Sequence, residues 1–364
     1  MIFDPLPDGW QILRQWLPDD LAERARKHGF FRRARGLQDA ERWLRLILMH
    51  VAGGLSLEQT VVRAKELGLA DVSAVALFKR LRRAEGWLLD LTHHLLAEQQ
   101  RWLYEQQEWS FPYRIRVIDA TNIQEPGSTG TDLRLHYSLQ LPQLSCDHFE
   151  LTDRYGGEKL GRFDFQQNEL ILVDRGYSHR RGVNSVLAAG ADILMRWNPS
   201  IFPVETERGE DFPLLAKLRA LPGHQIGCWP VWFRHRDQRR RVWLCAVRKS
   251  QLAAERCRRK ALDKSRRNQT AARQKSLELT QFTLVLHSLG PEVLTPKRAL
   301  EFYRCRWQIE LAFKRLKSLL AAGHVPKSND DSAKGWMQAK VLSALLIERV
   351  LWEAKVFSPW GYRL

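Results

Sequence analysis

The run Leu170–Val173 (LILV) contains no polar residue, so neither face of an extended chain there is suited to water. This is the pattern of a central strand buried on both sides. It ends on an acid, Asp174, followed by Arg175-Gly176-Tyr177. Upstream, Arg114–Ile118 (RIRVI) alternates and likewise ends on an acid, Asp119. His136–Leu141 and Cys146–Thr152 read as two further strands, with the turn residues Pro142 and Ser145 between them. Asn184–Ala189 reads as a helix and Asp192–Trp197 as another strand. Strands alternating with helices in this way predict an α/β domain.

The flanks differ from this centre. Before it the chain reads as helical, with apolar residues at Trp43, Leu46, Ile47 and Val51 near helical spacing. Ser56-Leu57-Glu58-Gln59 matches a capping box opening a helix that runs to Gly68. After a turn, Ser73 caps a further helix, Ala74–Ala84, bearing Lys79, Arg80, Arg82 and Arg83. Two short helices, the second basic, have the form of a helix-turn-helix unit. Beyond the centre, Pro199 to Pro296 breaks the alternation. It holds the strand-like pieces Cys228–Arg234, Arg241–Arg248 and Phe282–Ser288, together with a basic stretch, Arg256–Arg273, whose only acid is Asp263. Helical periodicity returns at Lys297–Leu320 and Trp336–Ala354. The expected division is a helical N-terminal DNA-binding region (1–110), an α/β core in two parts (111–198 and 297–364) and a β-rich insertion (199–296).

Charge narrows the partners. With 58 Lys+Arg against 41 Asp+Glu, the 364-residue chain carries a formal net charge of +17, which favours polyanionic ligands. The five cysteines (Cys146, Cys228, Cys245, Cys257 and Cys305) are scattered and contain no CxxC pair, which argues against a disulfide scaffold and a zinc ribbon. No HExxH pattern is present, and the longest apolar helix segment, Val341–Ile347, is too short to span a bilayer. A reduced, cytoplasmic protein is expected, with no membrane partner.

Chemistry concentrates on three carboxylates. Asp119 and Asp174 close strands, and ligands of open α/β sheets gather at strand carboxyl ends. Glu310 lies in the helical segment Lys297–Leu320. Two unit charges ~4 Å apart repel by about 4 kcal/mol at an effective dielectric near 20, so converging acids need a counter-charge. Mg²⁺, a hard cation preferring oxygen, supplies it, and paired metals serve phosphoryl displacement. On the same helix, Tyr303, Arg306, Glu310 and Lys317 fall within about 60° of one another at about 100° per residue, a polar stripe beside apolar Ile309, Phe313, Leu316 and Leu320.

This pattern, Tyr303-x2-Arg306-x3-Glu310-x6-Lys317, resembles the YREK signature of bacterial insertion-sequence DDE transposases of the fourth family. The text YRCRWQIELAFKRLKSLL, VIDAT around Asp119 and LVDRGY around Asp174 are also similar to that family, from about Gln38 to Arg349. The resemblance implies a ribonuclease-H-like catalytic core with a β-rich insertion and a helical N-terminal domain. It implies two Mg²⁺ or Mn²⁺ ions held by Asp119, Asp174 and Glu310. It implies cleavage at mobile-element ends, often through a hairpin, and strand transfer into target DNA. Tyr303, Arg306, Lys317 and Arg175 would contact DNA, with Lys79, Arg80 and Arg83 doing so from the N-terminal region. One of Trp229, Trp232 and Trp243 would stack on a flipped base. The partners implied are terminal inverted repeats, target DNA and a second copy of the chain, in the cytoplasm at the nucleoid. The chain departs from larger relatives in ending at Leu364, soon after the helix Trp336–Ala354, and a separate C-terminal dimerisation domain is not expected. Two other readings share the acids or the basic surface: a different ribonuclease-H-like nuclease, and a non-catalytic domesticated DNA-binding protein.

Overall fold

The structure is a computed structural model that describes residues 9–31, 37–105, 111–124, 130, 132–141, 144–271, 273–319, 323, 325 and 330–356. Pro142 and the expected helix end at Leu320 lie outside the described residues.

Six helices come first: α1 (Trp10–Arg14), α2 (Leu21–Lys27), α3 (Ala40–Val51), α4 (Leu57–Glu66), α5 (Ala74–Leu81) and α6 (Glu85–Glu105). Their starts follow local chemistry. Asp39 accepts a hydrogen bond from the Arg42 amide at 3.0 Å to open α3. Ser56 and Gln59 exchange both bonds of the capping box on α4, and Ser73 accepts from the Ala76 amide to open α5.

The centre is one eight-stranded sheet. Strand β1 (Arg114–Ile123) pairs antiparallel with β2 (Leu133–Leu141), which pairs antiparallel with β3 (Ser145–Asp153). On its other side β1 runs parallel to β4 (Glu169–Val173), and β4 runs parallel to β5 (Asp192–Arg196), with α7 (Arg180–Ala188) as the crossover. Alternation divides the apolar strand residues between two cores. Ile115, Val117, Leu170, Leu172 and Leu194 enter one, and Ile118, Ile171, Val173, Ile193 and Met195 enter the other. An apolar LILV run is therefore required, because both of its faces are covered.

The segment expected as an insertion forms its strands but builds no sheet of its own. After α8 (Leu214–Arg219) come the hairpin strands β6 (Gly227–His235) and β7 (Gln238–Arg248), then α9 (Gln251–Arg267), α10 (Gln274–Leu279) and β8 (Phe282–His287). Strand β8 docks antiparallel on β5, giving the order β3-β2-β1-β4-β5-β8-β7-β6. The basic stretch is mostly the helix α9, which buries none of its residues.

The predicted helix Lys297–Leu320 is two helices, α11 (Pro296–Cys305) and α12 (Trp307–Leu319), parted at Arg306. There the amide bonds tighten to i→i−3, Arg306 to Tyr303 and Ile309 to Arg306. The halves seat on different strands, α11 on β5, β8 and β7 and α12 on β1. The last helix, α13 (Asp330–Val356), packs against α3, α5 and α6 and joins the N-terminal helices to the same core as α12. Its approach depends on Gly335, where a Cβ would lie 2.2 Å from the Leu81 carbonyl oxygen.

At the start of the β1–β4 pair, the buried Arg116 lies between Asp147 (2.7 Å) and Glu169 (3.0 Å), and Arg114 also contacts Glu169. Removing the shared cation takes from Asp147 and Glu169 a charge buried with them. Arg116→Met is expected to lower the unfolding free energy by roughly 3–5 kcal/mol in urea denaturation, whereas exchanging an exposed arginine such as Arg258 leaves it within about 0.5 kcal/mol.

Candidate active site

Asp119 follows Ile118 on β1 and Asp174 follows Val173 on β4, and Ile118 and Val173 are register partners. The two aspartates therefore stand level where the β1–β4 pairing stops. Asp174 lies just past β4, and Asp119 lies inside β1, which does not end there as expected from the sequence but runs on to Ile123 paired with β2. By alternation both point to the face that carries Val117 and Leu172, the face on which α12 lies. Arg306, at the break between α11 and α12, reaches all three acids. It lies 3.4 Å from Asp119, 3.9 Å from Asp174 and 2.5 Å from Glu310. Tyr303 donates its hydroxyl hydrogen to Asp174 Oδ1 at 2.8 Å.

The environments are unequal. The Asp119 side chain is only 18% exposed, while that of Glu310 is 58% exposed and forms the open side of the cluster. Burial pushes the Asp119 carboxyl up to about 6, and the charges of Asp174 and Glu158 act in the same direction against the Ala120 amide and Arg306. Burial opposes the charge on Arg306, but Tyr303, Glu310 and Asp174 outweigh it and hold the guanidinium more firmly protonated than usual. Burial beside Asp174 raises the Tyr303 phenol, which stays protonated and remains a donor.

Glu158 was not apparent from the sequence. It comes from the loop after β3 and packs against Gly176, where a Cβ would fall 2.2 Å from its Oε2. The Tyr177 hydroxyl, raised by burial and by the charges of Asp119 and Glu158, is buried without a hydrogen-bond partner. Nothing in the GGEKL text marks Glu158; only the folded loop brings it there. A positive group also adjoins Asp174. Arg175 donates to Asn198 at 3.0 Å, and its charge and that of Arg196 act on the half-buried Lys249. Arg196 and Lys249 likewise escaped the sequence reading.

Other expected site residues lie elsewhere. Lys317 stands seven residues beyond Glu310 on α12, roughly 10 Å along the axis. Trp229 packs on Phe212 in the core of the opposite sheet face. Trp232 and Trp243 are on the carboxylate face, but Trp243 is on β7, three strands from β4, and Trp232 on β6, four strands away. There Arg239 and Arg241 cover Trp232, and Arg241 lies 4.5 Å over Trp243. Arg80, expected on a DNA face, turns inward. Its guanidinium lies over Phe30, Phe31 and Trp43 and donates to the Phe30 carbonyl, while Lys79 and Arg83 remain exposed. An interior of aromatic faces with a free carbonyl attracts a cation once its stem is buried.

The donor set suits a divalent cation. Three carboxylates supply hard oxygen ligands and share one guanidinium. Acids level on adjacent parallel strands, with a third on a covering helix, offer oxygen donors of the kind hard divalent ions prefer. Comparisons with known proteins narrow the reading. A family model described as the transposase DDE domain matches residues 152–346, a span that includes Asp174 and Glu310 and begins after Asp119. InsL, the transposase assigned to insertion sequence element IS186A of Escherichia coli K12, is 31% identical over 360 residues, covering 97% of this chain and 96% of its own. The transposase for insertion sequence element IS421 of Escherichia coli is 31% identical over 361 residues, with the same coverage. A piggyBac transposase, solved as a synaptic complex with hairpin DNA, matches with a TM-score of 0.50 at 9% identity over 96% of this chain and 77% of that one, a likeness of fold. The chain belongs to the insertion-sequence DDE transposases, whose domain implies dependence on a divalent metal.

Between its ordinary 3.8 and about 6, folded Asp119 binds its proton more tightly than the unfolded chain does. Without metal, stability therefore falls as the pH rises through that window. Asp119→Asn is expected to flatten this slope and to raise neutral-pH stability by on the order of 3 kcal/mol at most, read by denaturation in chelator.

Proposed function

We propose that this protein is a DNA transposase of the fourth insertion-sequence family, with Tyr303, Arg306, Glu310 and Lys317 as its YREK residues. It cleaves mobile-element ends through a hairpin and joins them to target DNA by cut-and-paste. The observation that carries this reading is the convergence of Asp119, Asp174 and Glu310 on Arg306 where the β1–β4 pairing ends. The sheet order β3-β2-β1-β4-β5, with β4 and β5 parallel to β1, supports a ribonuclease-H-like core (111–198 and 297–364), with 199–296 as the insertion and 1–110 as the DNA-binding region.

Asp119, Asp174 and Glu310 would hold two Mg²⁺ or Mn²⁺ ions, which supply an activated water or 3′-hydroxyl and charge stabilisation for in-line displacement at phosphorus. The protein residues do the positioning. Tyr303 fixes the Asp174 carboxylate through its hydrogen bond and leaves one oxygen of that group free. Arg306 keeps the acids together before DNA arrives, and its planar fork suits a non-bridging phosphate oxygen pair next to them. Arg175, Arg196 and Lys249 extend positive charge from Asp174 along the strand ends, and Lys317 does so along α12, for the flanking backbone. The unburied basic helix α9 and the exposed Lys79 and Arg83 offer further phosphate contacts. Trp232 and Trp243, held by arginines on the acid face, are the better-placed stacking partners for an extruded base, and Trp229 is committed to packing. Two copies of the chain would bridge two element ends, in the cytoplasm at the nucleoid. Among the described residues no helix is long and apolar enough to cross a membrane.

The test is cleavage of a labelled duplex bearing the element end that flanks the protein's own gene, in Mg²⁺. Native protein is expected to nick and then form a hairpin or double-strand break. Glu310→Gln should lose at least about a hundredfold in rate while binding within a few-fold of native. Tight binding without cleavage by the native protein, in Mn²⁺ also, would leave a non-catalytic DNA-binding protein. Arg83→Ala should weaken binding uniformly across sequences and reduce its salt dependence, whereas Arg80→Ala should lower stability first.

A further inference from the structure

Away from the carboxylates, the fold assembles three ligands of a different kind. Cys228 on β6 and Cys245 on β7 are directly opposed register partners, and His287 ends β8 beside them. Cys245 Sγ lies 3.5 Å from Cys228 Sγ and 3.3 Å from His287 Nε2, and all three ligand atoms fall within 4.8 Å of one another. His287 Nδ1 lies 2.8 Å from the Leu289 carbonyl oxygen, which only accepts, so Nδ1 carries the proton and Nε2 presents its lone pair to the sulfurs. We propose that Cys228, Cys245 and His287 bind one Zn²⁺ ion, a metal site separate in place and in chemistry from the acid cluster.

Geometry supports zinc. Tetrahedral zinc, with Zn–S near 2.3 Å and Zn–N near 2.0–2.1 Å, sets S···S at roughly 3.8 Å and S···N at roughly 3.6 Å. The observed 3.5 and 3.3 Å lie within a few tenths of an ångström of two of those edges, and the third, Cys228 Sγ to His287 Nε2, is within 4.8 Å, so small side-chain shifts close the face. Two thiolates and an imidazole are soft and borderline donors, which select zinc over the Mg²⁺ suited to carboxylates. On binding, both thiols release their protons to solvent, and the two thiolates balance the ion's charge. Cys245 and His287 are buried and Cys228 is half-buried, so the fourth position opens to water on the Cys228 side. The ligands come from the three outermost strands of one end of the sheet, so the ion would staple β6 and β7 to β8. Cys245 pairs with Val285, which pairs with Arg196, placing the staple three strands from Asp174.

The full-length native protein, purified with Zn²⁺ and dialysed against Mg²⁺ buffer, is expected to retain one zinc per chain by elemental mass spectrometry. Cys228→Ser should retain almost none and Glu310→Gln the full complement. Cobalt titrated into the metal-stripped native chain should give a thiolate-to-cobalt charge-transfer band, a readout that needs no variant. Restoring zinc should raise the thermal midpoint of the native protein and leave that of Cys228→Ser unchanged. Native protein that retains no zinc and gives no cobalt band, or that holds Cys228 and Cys245 as a disulfide in the presence of zinc, overturns the assignment. So does zinc retained equally by Cys228→Ser.

Discussion

Parallel pairing of β1 with β4 governs the molecule, because it brings residues about fifty positions apart in the chain to the same level. Hydrogen bonding sets Ile118 beside Val173, and the next residue on each strand is then an aspartate facing the same way. The register is anchored at the opposite end, where Arg116 is buried between Asp147 and Glu169 and Arg114 also holds Glu169. A slip of one residue would turn every core side chain to the wrong face and separate the acids. The ion cluster at one end and the carboxylate cluster at the other thus belong to one constraint.

The carboxylates oppose that constraint electrostatically. Their repulsion is contained by Arg306, which the chain delivers by breaking a helix. With α11 seated on β5, β8 and β7, and α12 on β1, the break falls at the residue that must reach Asp119, Asp174 and Glu310 together. Burial adds a second cost, and it raises the Asp119 carboxyl. A site lined by hard oxygens and flanked by Arg175, Arg196 and Lys249 is suited to divalent ions and to a polyanion together.

Local signals were legible wherever neighbours in sequence decide the outcome. The capping box at Ser56–Gln59, the cap at Ser73, the alternation of RIRVI and the apolar LILV run all specify their elements within a few residues. The polar stripe on the Glu310 helix was visible as spacing, although its break at Arg306 was not, since a straight helix and a broken one share the same periodicity over so short a span. Long-range signals were illegible. The three strands after Pro199 read as a separate β-rich piece because nothing in them shows that β8 pairs with β5. Arg80 looked like its basic neighbours until the aromatic rings of Phe30, Phe31 and Trp43 closed around it.

Taken alone, the sequence determined the α/β alternation, the helical N-terminal region, the apolar run leading into Asp174, and the family resemblance carried by Tyr303, Arg306, Glu310 and Lys317. These depend on periodicity, capping and motif spacing, all properties of contiguous residues. Tertiary structure decided that Glu158 joins the acids, that Trp229 faces away from them, and that Cys228, Cys245 and His287 meet. Strand order and register set these distances, and both arise from pairings between segments far apart in the chain, which no local pattern of residues encodes.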